Sequence, residues 1–248
     1  QDDIFYLRSK ESFRVPYISE ADLSPSIASK IYNFNNSSLN FGVMQSNIGN
    51  IEKDAYAFSF SNSKNDFSLM TGLVNEKGGM LKSSFNGAFN LEDKNPTSFI
   101  ALKKNKTIND KELGIISSFG STNVNLQNND SLVRELDNII TSSFGMYMNK
   151  YDLLSDKDQI VVSFSQPVRV ERGSMIFDVP TLNEKSGKLN YNTYQTNLQP
   201  SGRQLDLSLR YDRRIDENFD FSIEGILTSN YNHTNNNSLD TNFISSIK

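Results

Sequence analysis

The chain has 248 residues, a net charge of −4, 36% hydrophobic residues and neither cysteine nor tryptophan. The missing cysteines exclude a disulfide framework and a thiolate metal site, and the acidic balance argues against nonspecific nucleic-acid binding. No run of about 18 apolar residues exists, which excludes a helical membrane protein; a β-barrel stays open, because only every second strand residue of a barrel faces lipid.

The first 25 residues carry Pro16 and Pro25 and read as an irregular lead-in or linker, with a short strand over 12–15. The chain starts at Gln1 without a signal peptide, so it reads as a mature product or a fragment. From 26 to 248 strand patterns follow one another, and the whole stretch reads as one β-barrel domain. Segments 27–34 and 39–45 flank an Asn-Ser turn, as do 55–61 and 67–73. Residues 75–96 read as a long loop. Strands at 98–104 and 113–119 follow. A second long loop, 121–137, carries one helical turn at 131–136, with Ser131 as its N-cap. Further strands are expected at 139–151, 159–170, 174–181 and 189–198.

Two strands then show the period-two pattern most clearly. In 202–212, Leu205, Leu207, Leu209 and Tyr211 share one face, and Asp206, Ser208, Arg210 and Asp212 the other. In 217–231, Phe219, Phe221, Ile223, Gly225 and Leu227 lie opposite Asp220, Ser222 and Glu224. Successive strand side chains alternate between faces, so Leu205, Leu207, Leu209, Phe219, Phe221 and Ile223 are the expected lipid-facing set. Asp206, Arg210, Asp220 and Glu224 are the expected lumen-facing set. Pairing Tyr211 with Phe219 would set Arg210 opposite Asp220 and Asp206 opposite Glu224; a shift of two residues would set Asp212 against Asp220. The bland reading of the charged face is a solvated sheet surface. A last strand at 239–247 places Leu239, Phe243 and Ile247 on the outward face.

Short connections fall at one end of these strands and the long ones, near 75–96 and 121–137, at the other. A barrel with periplasmic turns and extracellular loops sorts its connections this way. The tight turns at 172–173 and 200–202 go against the sorting.

Catalytic chemistry is missing. The one histidine, His233, stands among Asn and Thr in an expected solvated loop, with no nucleophile and orienting acid to complete a triad. No phosphate loop, nucleophile elbow or metal-ligand spacing occurs. No enzymatic activity, cofactor or metal is expected.

The words Ser165-Gln166-Pro167-Val168-Arg169-Val170-Glu171-Arg172-Gly173 and Leu198-Gln199-Pro200-Ser201-Gly202-Arg203-Gln204-Leu205-Asp206-Leu207 resemble the C-terminal region of secreted subtilisin-like serine peptidases of alphaproteobacteria. There "SQPLRVESG" is followed by "DLPV" and "LAPSGRELDLELGY". Phe177-Asp178-Val179-Pro180 and the stretch 72–81 also resemble family phrases, so the likeness spreads over 67–231. The motif positions are Gln166, Pro167, Arg169, Gly173, Pro200, Gly202 and Arg203. The peptidase's Asp, His and Ser motifs are absent here, so no catalytic residue carries over. Family chains end in an aromatic residue, whereas this one stops at Lys248; continuation by at least one aromatic residue is expected. The resemblance implies an autotransporter-like barrel that anchors or exports a protease passenger.

Beside the resemblance, Pro167 removes a ladder donor and marks a bend or an edge. Arg169 and Arg203 reach either the lumen or the interfacial headgroups.

The expectation is therefore an all-β, antiparallel up-and-down β-barrel of the outer-membrane type, with roughly 12 strands (10–14), closed by pairing of the last strand with the first. Its expected role is translocator and anchor in the bacterial outer membrane. The expected partners are outer-membrane lipid, the passenger protease domain in cis and the barrel-assembly machinery, with the chain a monomer that binds no nucleic acid. Two other readings stand beside it: a soluble β-rich accessory domain following a secreted serine protease, and an unrelated small porin or adhesin barrel.

Overall fold

The computed structural model describes residues 17, 26–48, 51–81, 83–84, 89, 91, 94–124, 126, 131–155, 157–183, 186–215, 219–236 and 238–247. The short strand expected at 12–15 and the C-terminal Lys248 lie outside the described residues, as does the lead-in apart from Tyr17.

The fold is all-β and antiparallel. In chain order the strands are β1 (Ser26–Phe34), β2 (Ser37–Ile48), β3 (Ile51–Asn62), β4 (Phe67–Lys77), β5 (Gly79–Met80), β6 (Ser83–Ser84), β7 (Lys94–Ile108), β8 (Lys111–Thr122), β9 (Val133–Leu136), β10 (Ile139–Tyr151), β11 (Asp158–Arg172), β12 (Ser174–Asn183), β13 (Lys188–Asn197), β14 (Leu205–Arg214), β15 (Asp220–Ser229) and β16 (Leu239–Ile247). Eleven of them form one sheet in the order β1-β2-β3-β4-β7-β8-β10-β11-β14-β15-β16. Each member pairs with the next sheet strand along the chain, so the sheet is an up-and-down meander. A three-stranded sheet, β13-β12-β9, and the small hairpin β5-β6 are built from the connections.

The connections are sorted by length. At one end of the meander lie 35–36, 63–66, 109–110, 152–157 and 215–219. At the other lie 78–93, 123–138, 173–204 and 230–238, together with the short connection between β2 and β3. Left-handed residues Asn35, Asp66, Asn109 and Asp152 turn the chain at the short end. Asn and Asp tolerate this conformation better than other side-chain-bearing residues.

Four expectations are corrected. Among the described residues the large sheet does not close: β1 pairs only with β2 and β16 only with β15. An antiparallel meander with an odd number of strands has edges that run parallel, so they cannot complete an antiparallel ladder with each other. Second, segments 174–181 and 189–198 leave the large sheet and pair with each other as β12 and β13. The β13 sequence Lys188-Leu-Asn-Tyr-Asn-Thr-Tyr-Gln-Thr-Asn has no continuous apolar face, so it cannot extend the apolar outer surface of the meander. Third, the helical turn expected at 131–136 is the strand β9, on the edge of β12. The Ser131 hydroxyl does accept the Val133 N–H at 3.2 Å, but no helix follows it. Fourth, the expected loop 75–96 holds the end of β4, the start of β7 and the hairpin β5-β6.

The β14–β15 register also differs from both registers considered. Tyr211 lies opposite Ile223, Asp206 opposite Thr228, Arg210 opposite Glu224 and Arg214 opposite Asp220. This setting removes both like-charge clashes. Thr228 donates to Asp206 at 2.7 Å, and Arg214 pairs with Asp220 at 3.2 Å.

Candidate functional site: two opposed faces and a knot at one end

Alternation gives the meander two unlike faces. One is covered and mostly small or polar. Ser118, Thr122, Thr141 and Asn149 are fully buried there. Hydroxyls on directly paired residues join neighbouring strands: Thr97 with Thr122 at 2.8 Å, Ser118 with Ser143 at 2.6 Å and Ser163 with Ser208 at 2.6 Å. A longer chain of bonds crosses β10, β11, β14 and β15. Asn149 donates to Gln159, Gln159 to Asp212 at 2.8 Å, and Asp212 also accepts from Arg210 and Ser222. Even charged groups are covered: Lys53 stands 4.0 Å from Glu76, each 4% exposed. Buried polar groups cost free energy unless paired; the hydroxyl pairs and the Gln159–Asp212 chain meet that cost, while among the described residues the Asn149 side-chain oxygen is left without a partner.

The other face is apolar and open. Phe41, Tyr56, Phe58, Ile100, Leu102, Ile115, Phe119, Met146, Leu207, Leu209, Ile223 and Leu227 are all exposed. The register lines them into rows, such as Phe164–Leu207–Leu227 across β11, β14 and β15. This reverses the usual distribution, in which apolar faces are covered and polar faces wet.

Of the residues singled out from the sequence, Leu207, Leu209 and Ile223 are exposed on this apolar face. Leu205 and Phe221 are half-buried, and Phe219 is exposed in the connection before β15. Asp206, Arg210 and Glu224 share the opposite face and are half-buried. Asp220 shares that parity but sits exposed at the strand end, beside Arg214.

Tyr17 enters the covered face. Its ring stacks on Phe99 at 5.2 Å between centroids, and its hydroxyl hydrogen-bonds the Thr141 hydroxyl at 2.9 Å. Gly120 leaves the room: a Cβ there would stand 2.8 Å from the Tyr17 ring. Nothing in the sequence pairs residue 17 with 120 or 141, so this socket was missed.

The motif positions converge at the long-loop end. Pro167 interrupts the β10–β11 ladder, where Ser142 faces Arg169 and Phe144 faces Gln166, one residue more on β11 than on β10. That is a β-bulge, as expected for a donor lost inside a strand. The bulge turns Gln166 and Arg169 inward, and both are nearly fully buried. Arg169 donates from Nε to the Gly202 carbonyl and from Nη2 to the Pro200 carbonyl, each at 2.9 Å. It also pairs with Glu171. Glu171 further accepts from Ser142 at 2.6 Å and pairs with Arg203 at 3.0 Å, and Arg203 donates to Gln166. Gly173 is buried against Ile139.

His233 completes the knot, which corrects its reading as a solvated loop residue. Its Nδ1 accepts the Gln204 N–H at 2.9 Å, so its Nε2 carries the proton donated to the Val168 carbonyl at 3.0 Å. Its own carbonyl accepts the Gly202 N–H at 2.7 Å. Burial lowers its pKa below the ordinary 6.5, and the nearby Arg169 and Arg203 add to this. A Cβ on Gly202 would stand 2.8 Å from the backbone of residues 234 and 235, so glycine is needed for this approach. The knot's polar groups are spent on the backbone and on each other. Among the described residues neither a nucleophile–base pair nor a cluster able to hold a metal ion is present.

Comparison with protein-family models, with curated proteins and with solved structures finds no match to this chain.

Proposed function

We propose that the chain is an outer-membrane β-barrel that anchors and translocates an exported passenger and has no catalytic activity of its own. The observation that carries this reading is the reversed distribution: an open apolar face across the meander, backed by a covered polar face whose strands are joined by hydroxyl pairs. A transmembrane barrel needs that distribution, since its outside meets lipid and its inside meets water. The sorted connections support it as well. In lipid every backbone polar group must be paired, so closure is required. From an eleven-stranded meander, antiparallel closure takes one further strand, which brings the count to about 12, within the even series of bacterial barrels.

Tyr17, seated in the covered face, supports that face as the inner side along which a passenger segment would pass. The motif resemblance makes a subtilisin-like protease the passenger, in cis, with insertion by the barrel-assembly machinery and a monomeric end state. Among the described residues β1 and β16 are the edges of the sheet, which favours a second reading, a soluble β-rich accessory domain of such a protease.

One experiment separates them. The chain is refolded in plain buffer and in detergent micelles, and Leu207→Arg is compared with the parent. The barrel reading expects a monodisperse monomer only in detergent and a loss of about 2–4 kcal/mol for Leu207→Arg at mid-strand. A monodisperse monomer in buffer, indifferent to Leu207→Arg, would overturn it in favour of the soluble domain.

A further inference from the structure

A groove of about 500 Å³ lies on the apolar face over β7, β8, β10 and β11. Two register rows floor it. Ile115, Met146 and Phe164 form one, and Leu113, Met148 and Val162 the other. Each row ends on a lysine of β7: Lys104 lies opposite Ile115, and Lys106 opposite Leu113. Both lysines are exposed, and among the described residues no ion pair joins either of them to an acidic group. Two other outer-face cations of the meander do have such partners, in the pairs Lys94–Asp54 and Lys150–Asp110.

We infer that this groove is a site for an anionic glycerophospholipid, with an acyl chain on the methionine-lined floor and the phosphate between Lys104 and Lys106. The inference rests on the membrane reading above. Four observations carry it. The floor is apolar and exposed, with Ile115 at 59% and Met146 at 51%. Methionine side chains adapt to a flexible guest. The two unbalanced positive charges stand at one margin of the groove, where they suit a headgroup phosphate and no hydrocarbon. Finally, Lys104 and Lys106 lie toward the short turn 109–110. In an outer-membrane barrel the short turns face the periplasm, which selects the phospholipid leaflet as the source.

The absence of cysteine allows a clean test. Ile115→Cys and, as a remote control on the same face, Leu227→Cys are each labelled with an environment-sensitive fluorophore. The labelled proteins are reconstituted into phosphatidylcholine vesicles containing a small fraction of either brominated phosphatidylglycerol or brominated phosphatidylcholine. The expected result is lipid-like emission at both positions and stronger quenching by the anionic lipid at 115 only. Each lysine contributes about a fivefold preference, and Lys104→Gln with Lys106→Gln abolishes it. Both lysines are exposed, so the double variant retains the fold, and Lys104→Arg should keep the preference. Lipid-like emission at both probes with equal quenching by the two lipids overturns the site and leaves the membrane reading standing. Water-like emission at both probes overturns the membrane reading and the site together.

Discussion

The two ends of the meander are held by different physics. At the short end four of the connections are local turns that each hold one left-handed Asn or Asp, such as Asn35 (φ 50°) or Asn109 (φ 55°). At the long end, residues far apart in sequence are tied by a buried guanidinium. Arg169 on β11 reaches Pro200 and Gly202 before β14, and His233 before β16 closes on Val168 and Gln204. Local turns cost little chain entropy to close. Long connections cost more, and only contacts among them recover that cost. Damage at the two ends should therefore differ in size and in reach.

The largest effect is expected at Arg169. Arg169→Ala removes a nearly buried cation and leaves the Pro200 and Gly202 carbonyls and Glu171 without it, a loss of about 3 kcal/mol. Urea unfolding in the medium where the chain is monodisperse measures it. Lysine should rescue only part, because a single ammonium cannot reproduce the planar fork that meets two carbonyls and a carboxylate. A loss under about 0.5 kcal/mol would show that the long end is held by something other than this knot.

Next is Gly202. An alanine Cβ would stand 2.8 Å from backbone atoms of 234 and 235, which no rotamer change can relieve. Gly202→Ala should cost about 1–3 kcal/mol and expose the 230–238 connection to proteolysis while the short turns stay protected. Uniform cleavage at both ends would contradict the idea that the ends are held separately.

At the short end, Asn109→Ala should cost only about 1 kcal/mol, the left-handed penalty of a residue without a helpful side chain. Its effect should stay local to β7 and β8. Hydrogen exchange that loosens β11 or β14 in this variant would show coupling across the sheet that the turn geometry does not predict.

What could be read from the sequence follows the same division. Alternation in 205–214 and 220–229 marks two strands and their faces, because a period of two is a local property. Pro167 marks its bulge for a local reason too, the missing donor. The β14–β15 register was not legible, because it depends on the turn 215–219 and on which acidic residue meets which partner. Segments 174–181 and 189–198 read as strands, and they are strands, but which sheet they join is decided by the apolar face that β13 lacks. The motif words Gln166 to Gly173 and Pro200 to Arg203 stood out as strings, while their meeting through Arg169 is a matter of tertiary structure. His233 was placed among solvated residues because its neighbours in sequence are polar; its neighbours in space are Val168 and Gln204.

The smallest effect is expected from the titration of His233. Its pKa in the fold is lowered, first by burial and then by the positive charges of Arg169 and Arg203; the Val168 carbonyl and Asp206 oppose this. In the unfolded chain the imidazole titrates near 6.5. As pH falls through that value, the unfolded state takes up a proton that the fold resists, so stability declines. The contribution is complete above about 6.5 and is lost as pH falls toward the lower folded value. Protonation also removes the Nδ1 lone pair that accepts the Gln204 N–H, so the acid form loses one of the ring's two hydrogen bonds. Unfolding midpoints between pH 8 and pH 5 should therefore fall for the parent, and by less for His233→Gln, whose amide can donate and accept but does not titrate. Against the upward pull of burial, its bonds to Ser142 and Arg203 and the charge of Arg169 hold the Glu171 carboxyl below its ordinary value, which leaves the upper part of this window to the imidazole. Equal slopes for the two proteins would mean that His233 holds the loop without sensing protons, and the pH dependence would then belong to another group.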